Sequence, residues 1–257
     1  MRSLPWRIAD SLKAPPPDPD RVRWLRARRF AHRGLHGQGR VENSPSAFAA
    51  AIAAGHGIEC DVRKSRDGRA VVFHDAELDR LAEASGPVDA LDVATLTATR
   101  LRGSGDCIPT LRDLLVQVDG AVPLLIEVKT DPARSVAALC LAVRRELEGY
   151  QGEVAVMSFD PRVSQWFRRL APHVMRGLVV TEENARTLTG RLRRHRFLWQ
   201  ARPDFLAYDV RDLPSAFAAA QRGRGLPLLT WTVNSALLRQ RAQDHADSPI
   251  AEGEGLA

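Results

Sequence analysis

Two histidines, four carboxylates and two cations occupy four short stretches where apolar runs end. The stretches are His32-Arg33, Glu59-Cys60-Asp61, His74-Asp75 and Glu127-Val128-Lys129. Glu59 and Asp61 are two residues apart, so on a strand both leave by one face while Cys60 leaves by the other. Glu127 and Lys129 share a face for the same reason. Carboxylates that converge repel one another, and an oxygen-liganded cation, Mg²⁺ or Ca²⁺, would hold them ionised. The competing reading is a salt-bridged polar layer in which Glu127 pairs with Lys129 or Arg33. Histidine changes charge near neutral pH, so His32 and His74 suit the acid and the base of a proton-transfer pair. Arg33 offers a planar fork that fits a phosphate. Lys129 is one of only three lysines among 37 basic residues, which points to a position that needs a compact ammonium. His36, His56, His173, His195 and His245 are read as structural. Asn43 is read as the cap of a helix entered at Pro45. Glu42 is read either as a support of the metal site or as a partner for Arg33, and Trp231 either as a substrate wall or as core.

These side chains need a fold that gathers strand ends. Apolar runs at 29–32, 57–62, 70–74, 123–128, 154–159, 176–180, 205–210, 227–233 and 248–251 alternate with helical patterns at 46–54, 110–118, 132–148, 161–170, 184–195, 213–222 and 235–244. Such alternation predicts a parallel α/β protein. One connection is too short for a crossover helix. Residues 61–74 contain Arg66-Asp67-Gly68, a turn signal, and are expected to form a hairpin that brings Asp61 opposite Phe73 or His74. Setting that hairpin aside leaves eight strands. The expected fold is an α/β (β/α)8 TIM-like barrel with a hairpin excursion and a small insertion after the second strand, its functional groups at the carboxyl ends of the strands. The expected organisation is an amino-terminal appendage over 1–28, with a Pro-rich linker at 14–19, and a barrel over 29–257 that carries an irregular insertion at 75–109.

Composition narrows the partners. The 257 residues are 44% hydrophobic and 26% charged, which is ordinary globular usage. No apolar run reaches the ~18 residues of a membrane span. Three scattered cysteines suit a reducing compartment better than a disulfide framework, and the expected location is cytoplasmic. The formal charge of +6 favours anionic partners. The dense cluster Arg191-Leu-Arg-Arg-His-Arg196 carries no nucleic-acid motif and is read as a solvated helical face or a polyanion patch. The amino-terminal segment, with Trp6, Trp24 and several arginines, is a candidate for peripheral contact with an anionic membrane. No nucleic acid and no protein partner are inferred.

The ordered string His32-Arg33-Gly34, Glu42-Asn43-Ser44, Glu59-Cys60-Asp61-Val62, Asp67-Gly68, Phe73-His74-Asp75 and Arg80-Leu81, followed by Ile108-Pro109-Thr110-Leu111, Glu127-Val128-Lys129 and Trp231-Thr232-Val233-Asn234, resembles the glycerophosphodiester phosphodiesterase family. The similarity is dense over 29–130 and sparse over 150–234. It implies a phospholipase-C-like β/α barrel, a divalent cation, and hydrolysis of a small-molecule glycerophosphodiester to glycerol 3-phosphate and an alcohol. It further implies that His32 and His74 are catalytic, that Glu59, Asp61 and Glu127 bind the metal, and that Arg33 and Lys129 contact phosphate. A lysophospholipase D or related lipid phosphodiesterase on the same barrel is the alternative enzyme, and a phosphate- or polyanion-binding barrel the non-catalytic one. The chain departs from the family in its final strand, around 248–251, and in the short insertion at 75–109.

Overall fold

Leucine- and valine-rich runs form strands because they can bury both faces, and the helices between them start at side-chain caps. The computed structural model describes residues 4–183 and 186–257. Its strands are β1 (Phe30–Ala31), β2 (Gly57–Lys64), β3 (Ala70–Val72), β4 (Leu124–Val128), β5 (Val154–Ser158), β6 (Met175–Val180), β7 (Phe205–Asp209), β8 (Leu228–Val233) and β9 (Ser248–Ala251). The α-helices are α1 (Leu4–Lys13), α2 (Pro19–Val22), α3 (Pro45–Ala53), α4 (Val93–Ala98), α5 (Leu111–Val118), α6 (Ala137–Leu147), α7 (Pro161–Leu170), α8 (Leu188–Ala201), α9 (Ala216–Arg222) and α10 (Ala236–His245). The hydrogen-bonded strand order is β1-β9-β8-β7-β6-β5-β4-β2-β3, with β1 paired to β2 as well. Without β3 that order closes on itself, which is the eight-stranded β/α barrel expected from the sequence.

Residues 30–155 form one compact half. Here β2 runs parallel to β1 and β4, with Asp61 beside Glu127. The hairpin is as expected: β3 returns antiparallel, Val62 opposite Val72 and Lys64 opposite Ala70. The Phe73 amide donates to the Asp61 carbonyl at 3.0 Å, so the chain delivers His74 just past Asp61. Ser65 ties the turn, its hydroxyl donating to Asp67 Oδ1 at 2.6 Å. The insertion has its own apolar cluster, including Phe73, Leu78, Leu96, Leu101 and Ile108. It also contains α4, capped by Asp92, where the sequence predicts only irregular chain. Thr110 caps α5 by accepting the Asp113 amide, and its own amide donates in return to the Asp113 carboxylate at 2.9 Å.

Residues 156–257 together with the first 29 form the other half. Here β6, β7, β8 and β9 pair in parallel, and the short final run is a genuine strand. Helix starts fall later than periodicity suggests wherever a hydroxyl caps further on. Thr187 caps α8 and Ser215 caps α9, so α9 begins at Ala216 rather than 213, while the expected start of α8 at 184 lies outside the described residues. In the first half, α6 likewise begins at Ala137 rather than 132, because the Asp131 and Ser135 side chains bind the amides of Ala133 and Ala137 and hold a turn there. Helix α1 is anchored by Asp10, which is 1% exposed and accepts hydrogen bonds from His195 Nδ1 at 2.9 Å, Trp199 Nε1 at 2.7 Å and Gln221 Nε2 at 2.7 Å. Among the described residues no helix is long and apolar enough to cross a membrane.

Candidate active site

The site is built on neighbouring strands. Asp61 and Glu127 are lateral neighbours on β2 and β4, and Glu59 lies one pleat back along β2. Oxygens of Glu59, Asp61 and Glu127 all lie within 4.8 Å of one another, and all three residues are buried. Lys129 follows β4 and bridges two of them, its Nζ 2.5 Å from Glu127 Oε1 and 3.0 Å from Asp61 Oδ1. The polar layer and the carboxylate cluster weighed in the sequence are therefore one assembly.

The loop after β1 supplies the second cation. His32 is its first residue and contributes to the electrostatic field at Glu127. Arg33 has φ +54, and its amide donates to Glu59 Oε2 at 3.0 Å. Its guanidinium contacts Asp61 Oδ2 at 3.1 Å and donates to Glu42 Oε1 at 2.6 Å. Glu42 is thus a partner for Arg33, and it also receives Arg80 at 2.9 Å. Gly34 follows at φ +79, where an added Cβ would lie 3.0 Å from Ala47, so the loop can pack onto α3 only with glycine there. Asn43 does not cap α3. Ser44 does so, accepting the Ala47 amide, while Asn43 turns inward to Asp61.

His74 is held from two sides. Its Nδ1 lies 2.6 Å from Asp75 Oδ1, and Asp75 is gripped in turn by Arg80 Nε at 2.5 Å. The Arg80 hydrogen bond keeps the Asp75 carboxyl far below the usual carboxylate range, so Asp75 accepts and His74 Nδ1 carries the proton. That leaves Nε2 as the ring nitrogen without a proton. Arg63 Nε donates to the His74 carbonyl at 2.7 Å. Arg63 was not anticipated, although it continues the Glu59, Asp61 alternation along β2, which is the signal that could have found it. A cavity of about 340 Å³ adjoins Lys129, lined by Arg63, Lys64, Glu77, Asp89 and Arg134 among others.

Charge in this assembly is unevenly held. Burial, with repulsion from Asp61 and Glu127, pushes Glu59 well above its ordinary range. Burial also raises Glu127, outweighing Lys129. Burial would raise Asp61 too, but Lys129, Arg33, His74 and the Asn43 amide hold it at about 2. Burial pulls the imidazole of His74 below its ordinary value, against the opposing pull of Asp61. Two cations thus face three carboxylates, two of which resist ionising. Glu59 Oε1 is buried and accepts no hydrogen bond. An orphaned carboxylate oxygen among clustered acids fits a hard divalent cation.

The sequence profile described as the Glycerophosphoryl diester phosphodiesterase family matches residues 32–247. The chain belongs to that family. A Mycobacterium tuberculosis relative named "probable glycerophosphodiester phosphodiesterase 2" is 40% identical over 47% of this chain and 47% of its own length. A solved structure from Silicibacter pomeroyi that bears the family name is 25% identical, with TM-score 0.76 over 90% of this chain and 93% of that one. An Oleispira antarctica phosphodiesterase solved in complex with the product sn-glycerol-3-phosphate is 22% identical, with TM-score 0.76 over 87% and 92%, a likeness of fold. As a member of the glycerophosphoryl diester phosphodiesterase family the chain is a phosphoric diester hydrolase. Trp231 lies in its second half, half-buried, with Nε1 bonded to the Ala207 carbonyl at 2.9 Å and its ring edge-on to Phe159.

Proposed function

We propose that the enzyme hydrolyses glycerophosphodiesters to glycerol 3-phosphate and an alcohol by acid–base catalysis at a divalent-cation site. The observation that carries this reading is the carboxylate trio with its orphaned Glu59 oxygen, set beside Arg33, Lys129 and His74. Glu59, Asp61 and Glu127 would hold Mg²⁺ or Ca²⁺, which when bound supplies a Lewis acid for a phosphoryl oxygen. Arg33 and Lys129 orient the phosphate and offset charge that develops on it. One of His32 and His74 takes a proton from the nucleophile, which is either water or the neighbouring glycerol hydroxyl whose cyclic phosphate water then opens, and the other returns one to the leaving alcohol. Asp75 keeps His74 in the tautomer that presents Nε2 outward, and Arg63 fixes the backbone that carries it. The cavity beside Lys129 is read as room for the substrate alcohol. The cysteines support a reducing, cytoplasmic setting. The test is turnover of a panel of glycerophosphodiesters and lysophospholipids with Mg²⁺, Ca²⁺ or chelator. Release of glycerol 3-phosphate that chelation abolishes is expected. Metal-independent turnover would sink the cation reading, and turnover of lysophospholipids alone would favour the lysophospholipase D alternative.

A further inference from the structure

The outward side of helices α1 and α8 is both apolar and cationic, and the proposed reaction makes no use of it. Trp6, Asp10 and Lys13, spaced by one and two turns, are the residues with which α1 meets α8. Trp6 stacks on His195 with centroids 4.5 Å apart, Asp10 binds His195 and Trp199, and Lys13 Nζ sits 4.2 Å from the Trp199 ring centre. Helical geometry then turns Ile8 and Leu12 to the opposite side of α1, where they are 55% and 77% exposed. On α8, Leu188 and Leu192 lie on the same stripe as His195 and Trp199. The aromatic pair is covered by α1, whereas the two leucines are 76% and 48% exposed.

The charges on these helices are one-sided. Asp10 is the only carboxylate of α1 and is buried, and α8 has none. The exposed charged residues of the pair are Arg7, Lys13, Arg191, Arg193 and Arg196. We propose that this surface docks the enzyme onto a lipid bilayer containing anionic lipids. Ile8, Leu12, Leu188 and Leu192 enter the boundary between headgroups and acyl chains, and the arginines meet lipid phosphates. Aliphatic side chains one turn apart are what a bilayer takes up. A single-stranded nucleic acid would instead be met by stacked aromatics, and Trp6 is occupied by His195. The Asp10 anchor holds α1 in register with α8, so the surface is preassembled.

The test is flotation of the full chain with vesicles of phosphatidylcholine alone, or of an equal mixture with phosphatidylglycerol. It reads binding and not turnover, so it stands apart from the proposed reaction. Binding to the mixed vesicles, weakened by salt, is expected. Arg191→Gln and Arg196→Gln, which flank the leucine stripe of α8, should each lower that binding about fivefold. Leu12→Glu and the milder Leu12→Gln should lower it further, with thermal unfolding and turnover of a water-soluble diester unchanged. Equal binding to both vesicle types, binding indifferent to the leucine variants, or binding to an oligonucleotide and to neither vesicle would each overturn the proposal.

Discussion

Asn43 and Asp61 exchange two hydrogen bonds: Asn43 Nδ2 donates to Asp61 Oδ2 at 2.9 Å, and the Asp61 amide donates to Asn43 Oδ1 at 3.2 Å. Asn43 achieves this at φ +57, in the left-handed region that asparagine tolerates better than most residues. Asn43→Gly keeps the backbone conformation and deletes the amide. It should cost about 1–3 kcal/mol of stability, because the buried Asp61 amide is left without a partner, and it should weaken metal affinity. Urea unfolding and calorimetric metal titration check both. A variant as stable as the parent would show that the pair does not hold Asp61.

Glu59 sets an electrostatic cost against its proposed place in the cation site. Its carboxylate is buried, repelled by two others, and has one oxygen unmatched. Glu59→Gln removes that charge while keeping the shape. The metal-free variant should be at least as stable as the parent, and its affinity for Mg²⁺ or Ca²⁺ should fall steeply. Thermal unfolding with and without metal gives both readings, and undiminished affinity would remove Glu59 from the ligand set.

His32→Ala and His74→Ala should each lower turnover roughly 10²–10⁴-fold and leave metal affinity near the parent value. A diester with an activated leaving group needs little protonation. The histidine whose loss such a substrate tolerates is therefore the acid. If metal affinity collapses in either variant, that histidine is a ligand.

The Asp10 anchor predicts an acid limb of stability. Burial would raise its pKa, but the bonds from His195, Gln221 and Trp199 lower it below the ordinary value of 3.8. A folded pKa below the unfolded one means stability that is present above about pH 4 and lost as pH falls through the folded value. Asp10→Asn should therefore be less stable than the parent at pH 7, with a gap that narrows in acid. Urea titrations of both proteins at neutral pH and near pH 3 measure the gap, and a gap independent of pH would mean that Asp10 is not ionised in the fold.

The order of the barrel's strands and of the helices between them was readable in the sequence because it depends on local patterns, whereas α1 and α4 were not foreseen. Alternating apolar runs, capping residues such as Thr110 and Ser235, and the Asp67-Gly68 turn each act over a few residues. The two-residue spacing of Glu59 with Asp61 and of Glu127 with Lys129 determined which side chains share a face, since strand geometry allows nothing else. What those faces meet was decided by the tertiary structure. Only the lateral register of β2 against β4 sets Asp61 beside Glu127 and lets Lys129 bridge them. Asn43 has the composition of a cap and the position of a brace, because Ser44 is one residue closer to the helix and Asp61 lies within reach. Arg63, Arg80 and Asp10 are arginines and an aspartate among many. Their roles come from partners 11, 38 and 185 residues away in the chain, and contacts at that range form only once the strands and helices have packed.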